Sequence, residues 1–240
     1  MHRFYAPLLA TTLTLPEEES RHCARVLRMA EGDTIEVVDG LGTLYTCRIT
    51  MAHAKHCTVE IVGQESNPPH WKHQIVIGVS PTKNMDRIEW MAEKCTEMGV
   101  DRIVPLLCRN SERRVLKTER LDKILVSAMK QSLKAQKPQL DEMTPLMQLV
   151  SEPFEGDRFI AYIDPSLPRE CRKDLAQVYR PGHDTMVIIG PEGDFDPDEV
   201  KAALDAGFIP VSLGESRLRT ETAATFACSL CHALDMASGI

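Results

Sequence analysis

The feature that most limits what this chain can fold into is a change of rhythm near residue 70. From residue 74 onward, short apolar runs at 74–79, 102–108, 158–163, 185–189 and 210–213 alternate with amphipathic stretches. These cover 85–98, 119–134, 168–179, 197–206 and, last, 222–236. Period-2 and period-3.6 patterns in alternation predict strands and helices in turn. Such a chain buries its apolar residues most simply as a mainly parallel sheet with helices on both faces. Ligands of these sheets bind beyond the carboxyl ends of the strands. The loops after Ile163, Ile189 and Leu213 are therefore where chemistry is expected.

Before residue 70 the pattern is strand and turn. Residues 34–38, 43–50 and 58–62 are dense in β-branched side chains, and Asp39-Gly40-Leu41-Gly42 supplies a turn between the first two. This spacing predicts a small barrel or sandwich. The polar, proline-bearing stretch 64–70 reads as a linker, giving domains at 1–66 and 71–240.

Composition narrows the class. With 43% hydrophobic and 26% charged residues, the chain matches soluble globular proteins. The acidic Glu17-Glu18-Glu19 follows the first short apolar stretch without a small-residue cleavage site, so no signal peptide is expected. No apolar run approaches the roughly 20 residues that cross a bilayer. A soluble, cytoplasmic protein with no membrane partner is the expectation. The eight cysteines are scattered and expected to be reduced. Cys228-Ser229-Leu230-Cys231-His232 satisfies the C-x-x-C-H pattern of haem attachment. However, Ala223, Phe226, Ala227, Leu230, Ala233 and Leu234 recur around it at helical spacing, so both cysteines are read as buried helix residues.

The net charge of −7 weighs against a polyanionic partner, yet its distribution is uneven. Residues 109–137 hold nine basic side chains, Arg109, Arg113, Lys130 and Lys134 among them, against three acids. Either a phosphate-binding strip or the solvated face of a long helix fits this bias.

Two loops carry the strongest chemical signal. Gly190-Pro191-Glu192-Gly193-Asp194-Phe195-Asp196 follows a predicted strand, and its glycines let backbone amides approach a ligand. Asp196, Pro197 and Glu199 form an N-cap, a first-turn proline and a capping-box partner. Asp194, Asp196 and Asp198 have calcium-loop spacing, but Glu199 stands where an EF-hand requires glycine, and no metal site is expected. Neither a dinucleotide fingerprint nor a P-loop is present. The second loop, Leu213-Gly214-Glu215-Ser216-Arg217-Leu218-Arg219-Thr220-Glu221, runs into an apolar helix and concentrates charge at its start.

These residues resemble the RsmE-like 16S ribosomal RNA uridine-N3 methyltransferases of the SPOUT superfamily. The resemblance rests on Ile189-Gly190-Pro191-Glu192-Gly193 and on Leu213-Gly214 followed by Leu218-Arg219-Thr220-Glu221-Thr222-Ala223. It extends to Arg21-His22 with Val26-Leu27-Arg28, Gly32-Asp33, Asp39-Gly40, Gly42, Lys94, Glu97-Met98-Gly99-Val100, Pro105-Leu106 and Ser111-Glu112-Arg113. The chain departs from the family pattern at Asp194 and Phe195, and at Lys130-Gln131-Ser132-Leu133-Lys134, where Glu-Gln-Ser/Cys-Gly-Arg is more usual.

The resemblance implies a SPOUT-type α/β domain with a deep C-terminal trefoil knot, preceded by a small PUA-like β-barrel that binds RNA. It implies S-adenosyl-L-methionine held by Ile163, Gly190, Pro191, Glu192, Gly193, Leu213, Gly214, Leu218 and Thr220. The implied substrate is 16S rRNA in the 30S subunit, methylated on uridine N3 in the decoding region by a homodimer. The implied RNA contacts are Arg21, His22, Arg25 and Arg28, with Arg109, Arg113, Lys130 and Lys134 added from the basic stretch. For catalysis, Arg219 is expected to stabilise charge on the imide, and Glu221 or Glu192 to orient it or take its proton. Glu221 is equally readable as a helix-start residue favoured by the dipole.

Overall fold

The computed structural model describes residues 2–69, 71–163, 168 and 172–240. The chain forms two compact units. One comprises Met1–His70 and Val126–Lys137, the other Trp71–Leu125 and Pro138–Ile240.

The first unit is built on a four-stranded sheet in the order β1 (Arg3–Tyr5), β2 (Thr34–Val38), β3 (Thr43–Met51), β4 (Thr58–Ser66). Helices α1 (Leu9–Thr12) and α2 (Glu17–Arg21) and a π-helical turn, His22–Val26, intervene between β1 and β2. Alternate residues Ile35 and Val37, Tyr45, Cys47 and Ile49, and Val59 meet Phe4, Leu9, Leu15 and Cys23 in one core. The expectation was a small barrel or sandwich; among the described residues β1 and β4 do not pair, so these four strands do not form a closed barrel. The outer edge of β4 is taken by the chain at Leu13–Leu15 instead, through Val59 N to Leu13 O and Leu15 N to Cys57 O, both 2.9 Å. A second cluster joins Val38 and Leu44 to Met129 and Ala135, so residues 126–137 complete this unit.

In the second unit every strand pair is parallel. The sheet runs β11 (Ile209–Val211), β9 (Asp157–Ala161), β10 (Thr185–Ile189), β5 (Ile75–Val79), β6 (Arg102–Leu107), β7 (Gln139–Leu140), with β8 (Thr144–Pro145) also on β6. The helices are α3 (Met85–Met98), α5 (Leu146–Ser151), α6 (Leu175–Val178), α7 (Pro197–Asp205) and α8 (Thr220–Ala237), and α4 (Thr118–Gln131) begins in this unit and ends within residues 126–137 of the first. The helix expected at 168–179 is represented by α6, and residues 169–171 lie outside the described residues.

Both faces of the central strands are apolar, as a sheet covered on two sides requires. Ile75, Ile77 and Val79 of β5, with Val187 and Ile189 of β10, pack against α3 and α8. Val76, Met186 and Ile188 point the other way, to α5 and α7. Helix α3 starts at Asn84, whose side chain accepts from Asp86 N, and buries Ile88, Met91, Ala92 and Cys95 along one stripe. The facing stripe of α8 is Ala223, Ala224, Ala227, Cys228 and Cys231, small enough to let the two helices approach closely. Both cysteines are fully buried, and burial pushes the Cys231 thiol up to about 12. The C-x-x-C-H motif is therefore helix core, as its spacing predicts.

Candidate functional site

A pocket of about 590 Å³ opens at the carboxyl ends of β9, β10 and β11. This is where a doubly covered parallel sheet presents its ligand site, and the volume suits a small organic molecule. Each wall comes from one strand end. Ala161, Tyr162 and Ile163 follow β9; Gly190, Pro191, Glu192 and Asp194 follow β10; Leu213, Gly214 and Ser216 through Arg219 follow β11. Thr220, Glu221 and Ala223 of α8 and Arg87 of α3 close it.

Local chemistry explains why these loops hold their shape. A Cβ on Gly190 would stand 3.0 Å from the Phe195 ring, so glycine there lets the ring pack under the loop. Asp194 adopts a left-handed conformation at φ 64°, which an aspartate tolerates better than most residues. Its carboxylate accepts from Phe195 N at 2.8 Å. Thr220 Oγ1 donates to Gly190 O at 3.2 Å, linking the two loops. Gly214, at φ 105°, closes a turn with Ser212 through two 3.0 Å bonds.

Among the residues expected at a cofactor site, Ile163, Gly190, Pro191, Glu192, Leu213, Gly214, Leu218 and Thr220 share the pocket wall. Gly193 does not; a Cβ there would face Asn110 at 3.5 Å. Arg219 and Glu221 meet in the same pocket. Arg219 is the N-cap residue of α8 but makes no side-chain cap bond, and its side chain is exposed. Glu221 is buried, only 6% exposed. Its Oε1 lies 3.7 Å from Arg87 Nε, and its Oε2 has no hydrogen-bond partner. Arg87 was not anticipated from the sequence, whereas Arg217 belongs to the charged loop that was, although no role was assigned to it. The loop and first turn after β5 also sit at a strand's carboxyl end, and that position alone would have drawn attention to Arg87.

The basic stretch divides. Arg109 Nη1 pairs with Asp196 at 2.7 Å and Asp198 at 3.2 Å. Arg113 donates to the carbonyls of Thr82 and Lys83 at 3.2 and 2.7 Å, fixing the loop between β5 and α3. Lys130 is paired with Glu19 inside the first unit, and Lys134 is half-buried there. These bonds commit much of the charge internally. In contrast, Arg21, His22, Arg25 and Arg28 are all exposed, on α2, on the π-helical turn and two residues beyond its end. Among the described residues no cluster of three or more metal-ligating side chains occurs, and no helix is long and apolar enough to cross a membrane.

Comparison with known proteins gives the family. The RNA methyltransferase domain matches residues 69–232, and the RNA methyltransferase PUA domain matches residues 15–62. The ribosomal RNA small subunit methyltransferase E of Mycobacterium bovis is 30% identical over 239 residues, spanning 93% of this chain and 88% of that protein. Among solved structures, a probable rRNA-methyltransferase from Porphyromonas gingivalis superposes with a TM-score of 0.92 at 45% identity, over 99% of this chain and all of that one. A ribosomal RNA small subunit methyltransferase E from Neisseria gonorrhoeae, bound to S-adenosyl methionine, superposes with a TM-score of 0.84 at 27% identity over 98% of both chains. With an RNA methyltransferase domain covering most of its length and an RNA methyltransferase PUA domain before it, the chain belongs to the RsmE-like family of ribosomal RNA methyltransferases.

Proposed function

We propose that this protein transfers a methyl group from S-adenosyl-L-methionine to N3 of a uridine in the decoding region of 16S rRNA. The observation that carries this reading is the convergence of Arg219 and the buried Glu221 in one pocket, within a chain of this family. The cofactor fits the residues present. Gly190 and Gly214 expose main chain, Ile163, Leu218 and Ala223 are apolar, and the orphaned Glu221 Oε2 awaits a donor. When bound, the cofactor supplies an electrophilic methyl group on sulfur.

The chain's own residues do the rest. Uracil N3 carries its proton at neutral pH, so the ring must be deprotonated to become a nucleophile. Glu221 or Glu192 takes that proton, and the bonding pair remains on the ring. The ring nitrogen freed of its proton would be the nucleophile for the methyl group that the cofactor would supply. The Arg219 guanidinium faces the negative charge that develops on the imide. Holding cofactor and base together between the loop walls would contribute the remainder. Arg21, His22, Arg25 and Arg28 bind the RNA through the first unit, with phosphate contacts dominating affinity. A trefoil knot in the second unit, a homodimer, an assembled 30S particle as substrate and a cytoplasmic location complete the reading.

The test is transfer of radiolabelled methyl from S-adenosylmethionine to 30S particles from a strain lacking this gene, with mass mapping of the labelled nucleotide. Label on uridine N3 of 16S rRNA is expected. Label confined to another RNA would move the substrate, and RNA binding without cofactor binding or transfer would mark an assembly factor instead.

A further inference from the structure

Glu192 and Glu221 are candidates for one role, yet their surroundings differ. Glu192 is exposed on the loop after β10. Glu221 stands in the first turn of α8, in the pocket wall, with 6% of its surface accessible. Among the described residues only Oε1 has a charged neighbour, Arg87 Nε at 3.7 Å, and Oε2 has none of its hydrogen bonds made. A buried, unsatisfied polar atom costs about 1–3 kcal/mol, more when charged. An oxygen left in this state beside a ligand-sized pocket points to a donor that arrives with the ligand.

Arg87 reaches Glu221 from a separate element whose position is independently fixed. It is the third residue of α3, whose start is set by Asn84 accepting from Asp86 N at 3.0 Å. The loop leading into that start is held by Arg113 through the Thr82 and Lys83 carbonyls. The guanidinium therefore comes off a braced helix terminus and meets one carboxylate oxygen.

We infer that Arg87 is a positioning residue that holds Glu221 through Oε1, so that Oε2 accepts an N–H or O–H donor of the bound ligand, and that Glu221 rather than Glu192 fills this role. The donor is either the imide N–H of the substrate base or an amine or hydroxyl of the cofactor. The inference rests on the methyl-transfer reading of the same pocket.

The test uses the full-length protein with Arg87→Met, Arg87→Lys, Glu221→Gln, Glu192→Gln and the Arg87→Met/Glu221→Gln pair. Calorimetry reads S-adenosylmethionine affinity, and methyl transfer to 30S particles reads kcat and KM. Arg87→Met is expected to lower kcat by about a hundredfold, the scale of a misplaced reacting group, with KM for the particles little changed. Arg87→Lys should recover most of that loss. The Arg87→Met effect should largely vanish in the Glu221→Gln background, and Glu192→Gln should lose less than Glu221→Gln. A loss in kcat at constant cofactor affinity identifies the base as the donor; a matching loss of cofactor affinity identifies the cofactor. Wild-type rates and affinities in Arg87→Met, an undiminished effect in the double variant, or a larger loss in Glu192→Gln would each overturn the proposal. Absence of transfer by the unmodified protein would overturn the methyl-transfer reading instead. Calorimetry then decides this inference, and unchanged affinity in Arg87→Met and Glu221→Gln rejects it.

Discussion

Two arginine–carboxylate pairs stand at helix starts in the second unit, and they are built to opposite ends. At α7, Asp196 accepts from Asp198 N at 3.0 Å and from Arg109 Nη1 at 2.7 Å. Its own N–H goes to Glu199 Oε2 at 3.0 Å, and Glu199 Oε1 accepts from Arg109 N at 2.8 Å. At α8, the more deeply buried Glu221 has, among the described residues, a single ion pair at 3.7 Å and an oxygen with no partner. The first arrangement satisfies its polar groups locally and stabilises a helix terminus. The second gives up stability at the pocket, a pattern expected where a residue is kept for chemistry rather than for the fold.

This contrast can be broken most decisively at Arg219. Replacing it with alanine is expected to nearly abolish methyl transfer while changing S-adenosylmethionine affinity by no more than about tenfold, roughly 1.4 kcal/mol. Because its side chain caps nothing, the melting temperature should hardly move; normal turnover would remove Arg219 from the reaction.

Glu221→Gln should lower turnover by about a hundredfold or more and leave thermal stability equal or higher, since it removes a buried charge that lacks full compensation. A drop of several degrees in melting temperature would instead place Glu221 with Asp196 as a structural residue.

Asp196→Ala is expected to cost about 1 kcal/mol, the ordinary value of an N-cap, read by denaturant titration. The backbone bond from Asp198, and then Arg109, hold the Asp196 carboxyl below the usual carboxylate range. A group depressed in the folded state contributes its stability above its unfolded pKa and loses it as pH falls through the folded one. The gap between the two proteins should therefore be constant near neutrality and narrow in acid, below about pH 4. A gap independent of pH would show that the charge takes no part.

The smallest effect concerns Leu133, which sits at φ 59° just beyond α4. Lys134 N bonds to Met129 O and Leu133 N to Lys130 O, the paired closure that favours glycine at the left-handed position. Leu133→Gly should raise stability by up to about 1 kcal/mol, measurable as a small rise in melting temperature.

Much of this was legible in the chain. The helix at Met85–Met98 and the strand at Thr185–Ile189 have the bounds that their periodicity predicts. The capping box at Asp196 and Glu199 was equally readable, because both partners are three residues apart. What the chain hid was non-local or irregular. The three-residue β1 and the π-helical turn carry too few residues to show a period. The open edge of the first sheet depends on where Leu13–Leu15 lies in space. The basic stretch reads as one strip along the sequence, yet Arg109 and Arg113 are bound to partners distant in sequence, and Lys130 to Glu19 across 111 positions. Arg87 was missed for the same reason: its partner lies on another helix, far along the chain.

The return of Val126–Lys137 to the first unit has a consequence for how the protein is made. Met129 and Ala135 cover Val38 and Leu44, and the main chain at Gly40 and Gly42 bonds to residues 135 and 137. As the chain is synthesised, the N-terminal unit therefore cannot finish folding when residue 70 has appeared. It must wait for Lys137, about 67 residues and several seconds later at the usual rate of roughly 5–20 residues per second. During that interval Val38 and Leu44 lack their cover. A fragment cut at the linker would keep that deficit permanently, so truncations that respect the apparent boundary in sequence should yield a less stable first unit than one carrying the later segment in trans.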